Sequence, residues 1–495
     1  MIDNFIAGSV ALFGDPFTIG IFIFGVIGGM LLAAIPGVSM LTLAAILLPF
    51  TASLEPAQGV MLFAVIYCTG TYGGAITAIL FNIPGAPENA PTAFDGYPMT
   101  RKGQSGKAVG AAVLCSAIGG VTSAIVMMAA TEPLANWAIS NIGPPEIFAL
   151  VFFGLAVASS VGGRTLWKGW MSVLLGLLIA TIGQDPVGGI NRYNFGFSDL
   201  AAGIAFVPAI LGFFAVSEIF VQAEKKAIGM YEAPKLSLDF PTILELWTHK
   251  IAVVRSILVG FFCGILPGIG ATLAAFMGYG EAVRWSKNKE SFGKGNLEGV
   301  ISSETANNAA TGAAMIPLLA LGLPGGALTA MMVAVFQMHD LEPGPLVFYN
   351  SPDLIWIVFA AMFYANLSIL FIGLLETKTI LYLLKIPFQF LAPMILLLAS
   401  IGSYIGRGLV LDVMVMFISG IMGFLLRRSG YSIPGIVLGI ILGKIGEQNF
   451  AQGMQMVHYD LLEYLSRPIC LLLIVAGSLT LLAGIYKALS FSFKS

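Results

Sequence analysis

The chain has 495 residues, of which 57% are hydrophobic and only 10% charged, and its mean hydropathy is +0.91. Soluble domains carry roughly a quarter charged residues, so this composition excludes a soluble globular protein and points to an integral membrane protein. The formal net charge of −2 argues against a polyanion partner, and no nucleic-acid-binding module is visible.

The first Lys or Arg is Arg101, so the N-terminus lacks the basic region of a cleavable signal peptide, and the apolar segments themselves are expected to drive insertion. Residues 18–50 form one apolar segment of 33 residues with Pro36-Gly37 near its centre. A spanning helix needs about 20 apolar residues. Proline removes a backbone donor, and in lipid the freed groups must find partners, so length and break together predict a re-entrant hairpin or two half-helices. Crossings follow near 57–81, 107–130, 143–163, 166–183 and 198–221. The stretch 222–250 reads as a loop. Next comes a second 33-residue segment, 251–283, with Pro267-Gly268 inside "FFCGILPGIGATLAAF" (261–276). After a hydrophilic loop at 284–308, crossings are predicted near 308–332, 353–376, 386–404, 408–426, 431–446 and 467–490. Cys68, Cys115, Cys263 and Cys470 lie singly in apolar segments and read as packing residues.

If both Pro-Gly segments return to the side they came from, 20 of the 24 basic residues fall on one side of the membrane. Only Arg192, Arg407, Lys444 and Arg467 fall on the other. Positive loops face the cytoplasm, which puts the N-terminus outside and the C-terminus inside. Two internal alignments suggest duplication. "AAIPGVSMLTLAA" (33–45) aligns with "GILPGIGATLAAF" (264–276), and "TYGGAITAILFNIPG" (71–85) aligns without a gap to "TGAAMIPLLALGLPG" (311–325). Five crossings separate the hairpins, an odd number, so the second copy is inserted upside down. The predicted architecture is therefore an all-α polytopic membrane protein with two inverted-topology repeats, 1–250 and 251–495. Each holds a hairpin (about 18–50; about 251–283) and a helix broken at Pro-Gly (about 57–85; about 308–332). Inverted repeats with interrupted segments at matching positions point to a secondary transporter with its site at the repeat interface.

The candidate substrate site gathers around the four breaks. It comprises Pro36, Gly37, Ser39, Asn82, Pro84 and Gly85 in the first half, and Pro267, Gly268, Gly270, Asn307, Asn308, Thr311, Pro324, Gly325 and Gly326 in the second. Thr42, Thr71, Thr272 and Thr305 are candidate ion ligands. A broken helix offers amide N–H groups to a carboxylate at its new N-terminus, and freed carbonyls to Na⁺. An anionic substrate coupled to a cation fits this chemistry. The bland reading of each Pro-Gly is a kink. That of "ETANNAA" (304–310) is a helix start capped by Ser303 or Thr305. Glu218, Glu281, Glu304, Asp340 and Asp412 lie near predicted span ends and are expected at the interface, and His339-Asp340 reads as loop structure. "GQSGKA" (103–108) fails as a phosphate loop, because Arg101 stands where the first glycine belongs and Ala108 replaces Ser/Thr. No HExxH or GxSxG motif occurs, and no enzymatic activity or cofactor is expected beyond a coupling Na⁺ or H⁺.

At these motifs the chain resembles the TctA family, the large membrane subunit of the tripartite tricarboxylate transporters. The residues that carry the likeness are "GGMLLAAIPGVSMLTLAAILLP" (28–49), "FNIPGAPENAPTAFDGYPMTRKGQSGKAVG" (81–110), "GILPGIGAT" (264–272), "EGVISSETANNAATGAAMIPLLALGLPGG" (298–326) and "MHDLEPGPLVF" (338–348). The resemblance implies a bacterial inner-membrane, cation-driven importer of citrate-like carboxylates. It also implies two partners, a small TctB-like membrane subunit and a TctC-like periplasmic solute-binding protein, and an elevator-like motion that carries the Pro-Gly loops and the Asn-rich run. Self-association into a homo-oligomer is a further partner reading. One departure stands out: where the family often has Ser or Thr after the last Pro-Gly, or one residue later, this chain has Gly326 and Ala327. The competing readings are a carboxylate-permeable channel or a membrane scaffold without ion coupling. An intramembrane enzyme is disfavoured, because no convergent acid, base and nucleophile set is visible.

Overall fold

Each 33-residue apolar segment holds two helices, one ending before its Pro-Gly and one starting after it, as the sequence predicts. The computed structural model describes residues 1–35, 39–161, 165–185, 187–224, 240–266, 270–383 and 388–492. The helices of the first half are α1 (Ile2–Gly14), α2 (Pro16–Ala33), α3 (Met40–Leu47), α4 (Pro56–Phe81), α5 (Ala90–Arg101), α6 (Ser105–Asn141), α7 (Pro144–Val161), α8 (Leu166–Ala180), α9 (Phe206–Ile210), α10 (Ser217–Glu224) and α11 (Ile243–Thr248). Those of the second are α12 (Lys250–Ile265), α13 (Gly270–Trp285), α14 (Leu297–Leu321), α15 (Ala327–Met338), α16 (Val347–Asn350), α17 (Pro352–Leu383), α18 (Phe388–Ile405), α19 (Val410–Arg428), α20 (Ile433–Met456), α21 (Leu461–Ser466) and α22 (Pro468–Ser492). A π-helical turn, Leu211–Val216, joins α9 to α10, and a two-residue strand pair, Gly183–Gln184 with Asn191–Arg192, closes one loop.

Among the described residues, seven helical stretches are long and apolar enough to cross a membrane. They are Pro16–Ala33, Pro56–Phe81, Ser105–Asn141, Phe206–Glu224, Pro352–Gly373, Val410–Arg428 and Pro468–Tyr486. The chain is a multi-pass, all-helical membrane protein. Large apolar side chains cover the outer surfaces of α12, α19 and α22, among them Leu258, Phe262, Ile418, Leu425, Leu472 and Leu482. Their exposure is what a lipid-facing wall requires.

The helix starts follow local chemistry. The Asp15 carboxylate accepts from the Thr18 amide with Pro16 at the first helical position of α2. Glu55 and Gln58 form a reciprocal cap at the start of α4. For α14 the cap is Asn296, whose side chain accepts from the Glu298 amide. Neither Ser303 nor Thr305 caps it, and the helix begins at Leu297 where a loop was expected to run to 308. The polar run lowers the local hydropathy, so an apolar window finds only the second half of this helix.

Helices α4 and α14 form the interior: Gln58–Leu80 and Gly299–Ala320 are buried throughout. They pack in matching ways. Helix α2 lies on α4 through Gly29, where an added Cβ would fall 2.1 Å from Thr69 Oγ1 and 3.3 Å from Ile66 Cα. Helix α12 lies on α14 through Gly260, where an added Cβ would meet the Ala306 carbonyl at 2.3 Å and Ala309 Cβ at 2.8 Å. Extended without a gap toward the N-terminus, the two alignments pair Gly29 with Gly260, Ile66 with Ala306 and Thr69 with Ala309. Small residues at such contacts let backbones approach where lipid supplies no hydrophobic drive.

Candidate functional site

Both central helices end in the same way. Asn82 and Gly322 take the left-handed conformation, with φ of 57° and 74°. The Asn82 amide bonds the Ala78 carbonyl and the Ile83 amide the Thr77 carbonyl; the Gly322 amide bonds Leu318 and the Leu323 amide Pro317. This left-handed C-cap satisfies orphan carbonyls, and Pro84 and Pro324 then forbid continuation. The next glycine packs back on its own helix in each half. A Cβ on Gly85 would fall 2.5 Å from Gly74 Cα, and one on Gly325 2.8 Å from Ala314 Cβ. Pro84 and Asn82 are exposed, whereas Pro324, Gly325 and Gly326 are buried. At the last break the Thr329 hydroxyl accepts from the Gly326 amide and donates to the Gly326 carbonyl, so a hydroxyl reaches this break from three residues downstream.

Pro36, Gly37, Pro267 and Gly268 lie outside the described residues. What flanks them is described. Ser39 caps α3 by accepting from the Thr42 amide. A Cβ on Gly85 would meet the Ala33 carbonyl at 2.4 Å, so the first and second breaks adjoin. Gly270 opens α13 with φ of 57°, and a Cβ there would stand 3.6 Å from both the Gly325 carbonyl and Gly326 Cα, which brings the third and fourth breaks together.

Between these pairs lies a buried polar network. On α14, Glu304, Asn307, Asn308 and Thr311 fall three or four residues apart and share one face. The Glu304 carboxylate accepts from Thr92 Oγ1, from Ser116 Oγ at 2.9 Å and from Asn307 Nδ2 at 3.3 Å. The Asn89 side chain also faces this carboxylate, and its amide donates to the Thr71 carbonyl at 2.7 Å. Asn307 Nδ2 reaches the Glu88 carbonyl at 3.4 Å. Asn308 Nδ2 donates to the Glu304 carbonyl and to Asn307 Oδ1. Thr272 Oγ1 stands 3.4 Å from Glu88 Oε2. Thr311 donates to the Asn308 carbonyl and lies 3.9 Å from Cys68 Sγ on α4. A neighbouring carboxylate, Asp95, accepts from the Gly295 and Asn296 amides and from the Tyr279 hydroxyl, fastening α5 to the start of α14.

The structure thus joins Asn307, Asn308, Thr311 and Thr272 in one network. Thr71 enters it through its carbonyl; its hydroxyl is spent on Tyr67 O, with Met40 Sδ at 3.6 Å. The Thr305 hydroxyl bonds Ile301 O within its own helix, and Thr42 pairs with Ser39. Glu304 overturns the expectation of an interfacial acid: it is fully buried seven residues into α14. Glu218 and Asp412 do pair with helix-end arginines, Arg427 and Arg407, and Glu281 pairs with Arg284. Asp340 has φ of 55° in the turn after α15, in keeping with loop structure. Missing from the sequence reading are Glu88, Asn89, Thr92 and Asp95. Their signal was a helix start with Pro91 in its first turn, and Glu88, Thr92 and Asp95 spaced three or four residues apart.

Comparison with known proteins places this geometry. The profile of the family described as "Tripartite tricarboxylate transporter TctA family" matches residues 19–438. The chain is 35% identical over 460 residues to an Agrobacterium vitis protein described as "Uncharacterized 52.8 kDa protein in TAR-I ttuC' 3'region", covering 92% of this chain and 90% of that one. It is 36% identical over 218 residues to a second Agrobacterium vitis protein, "Uncharacterized protein in TAR-II ttuC' 3'region", covering 44% of this chain and 90% of that one. No solved structure matches. The multi-pass helical architecture and the profile match over most of the chain agree, and the chain belongs to the TctA family of tripartite tricarboxylate transporters, as a membrane component of a transporter that works with TctB and TctC subunits.

Proposed function

We propose that the chain is the translocating subunit of a cation-driven importer of carboxylates of the citrate class in a bacterial inner membrane. It works by alternating access, with its two halves as inverted repeats. The observation that carries this reading is the pairing of the four breaks around a buried network of carboxylate, amide and hydroxyl groups, with equivalent residues making equivalent contacts in both halves. Half-helix ends supply N–H groups for a carboxylate, and the surrounding oxygens suit a small cation. An elevator-like slide of the domain that holds the breaks follows from the same placement, with the N-terminus periplasmic and the C-terminus cytoplasmic.

The test is uptake of labelled citrate into proteoliposomes holding the full chain with its small membrane subunit, with and without the solute-binding protein and an inward Na⁺ or proton gradient. Saturable accumulation that needs both is expected. Non-saturable flux that ignores the gradient would establish a channel instead.

A further inference from the structure

Three carboxylates, Glu88, Asp95 and Glu304, are enclosed by the protein, and among the described residues none forms an ion pair with Lys, Arg or His; Asp95 is held by two backbone amides and the Tyr279 hydroxyl, which leaves Glu88 and Glu304. Burying an unpaired charge is expensive enough that it must be neutralised or matched. The two acids differ in how they are held. Both oxygens of Glu304 have donors, from three side chains on three helices, and its backbone is fixed inside α14. Glu88 sits on the short 3-10 turn Pro87–Asn89 that follows the Pro84-Gly85 break. Its Oε2 has only the 3.4 Å approach of Thr272, two residues into α13 from Gly270, and its Oε1 has no partner. Two more buried oxygens in the same network, Asn89 Oδ1 and Asn308 Oδ1, also lack a donor. The network therefore has a surplus of acceptors and a deficit of positive charge, concentrated where the second break meets the third.

We propose that Glu88 is the residue through which a monovalent cation couples to transport. The cation, Na⁺ or a proton, occupies the open oxygen of Glu88, and Glu304 serves as the fixed anchor of the surrounding network. Three features favour Glu88 over Glu304. It lies on a loop, it has an unfilled oxygen, and it bridges elements of both halves. A cation there neutralises the charge, satisfies an orphan acceptor and ties the 84–89 loop to the start of α13, so loading and unloading it bears on how those two elements sit together. This assignment rests on the transporter reading above and adds a residue to it.

The experiment compares the wild-type chain with Glu88→Gln and Glu88→Asp, reconstituted with both partner subunits and loaded with unlabelled citrate. Labelled citrate then reports counterflow without a cation gradient, and accumulation under an inward Na⁺ gradient or an inward proton gradient. Glu88→Gln is expected to lose more than about tenfold in accumulation in whichever arm drives the wild type, with counterflow reduced by a smaller factor. Glu88→Asp should restore part of it. Unchanged gradient-driven accumulation in Glu88→Gln overturns the proposal. So does a loss of counterflow as large as the loss of accumulation in a monodisperse Glu88→Gln protein, which would place Glu88 in the substrate site. A wild type inactive toward citrate counts against the carboxylate reading alone, and a second measurement tests Glu88 without substrate. The melting temperature of the detergent-solubilised wild type should rise when Na⁺ replaces choline or when pH falls, because a cation bound by the native state stabilises it. Glu88→Gln should lose that response; a wild type with no response, or a variant with an unaltered one, overturns the proposal.

Discussion

Asn307 holds the network together, because one amide serves both the Glu304 carboxylate and the Glu88 backbone carbonyl. Replacing it with Leu removes both bonds, leaving the Glu304 carboxylate and the Glu88 carbonyl each one donor short, at about 1–3 kcal/mol per lost bond. Asn307→Leu is therefore expected to abolish citrate uptake while the protein still inserts, as measured by uptake beside membrane-fraction immunoblots; uptake at the wild-type rate would remove the network from the site. Glu304 separates shape from charge. Glu304→Gln keeps an acceptor for Thr92 or Ser116, whereas Glu304→Leu strands the Ser116 and Thr92 hydroxyls and the Asn307 amide. The Leu variant should lose several degrees of melting temperature in detergent, and the Gln variant less. Equal losses would show that these bonds do not hold the core. The sequence made the second-half side of this site legible, because "SSETANN" is anomalous inside an apolar region. It hid the side bearing Glu88 and Thr92, since a Pro-rich turn followed by a short helix looks like a surface loop until its partners are seen.

At the level of elements, the Pro-Gly pairs at 36–37, 84–85, 267–268 and 324–325 were readable in the sequence as helix breakers, because glycine and proline act locally. Helix ends at Ala33, Phe81, Ile265 and Leu321 follow from them. The start of α14 was not readable. Its first half carries the polar run 302–308, which is buried against α5, α6, α12 and α13. Helices α1 and α5 also escaped, one being short and the other too polar for a membrane window. Equivalent glycines offer a test of duplication at this scale. Gly85→Leu and Gly325→Leu each drive a side chain into the helix before the break, against Gly74 and Ala314. Both variants should lose uptake while remaining in the membrane fraction. If Gly325→Leu fails and Gly85→Leu transports normally, the two breaks do not share a role.

At the scale of the whole molecule, six of the seven apolar helical stretches found among the described residues, with a lipid-facing coat of Leu, Ile and Phe, surround the central pair, α14 and the seventh stretch, α4. Composition announced the membrane, and six of the eleven predicted crossings coincide with spanning-length apolar helices among the described residues, but the meeting of the first half's Glu88 with the second half's Thr272 and Asn307 is a property of the fold alone. A carrier that alternates access must expose this meeting point to each side in turn. Thr272 reports on it directly, being half-buried beside Glu88, and Cys is close to Thr in size. With the four native cysteines changed to alanine, Thr272→Cys should react with a membrane-impermeant maleimide from either face of the membrane. Citrate together with the driving cation should shift that reactivity from one face to the other. Reactivity confined to one face under every condition, or equal from both faces whatever is added, would contradict alternating access.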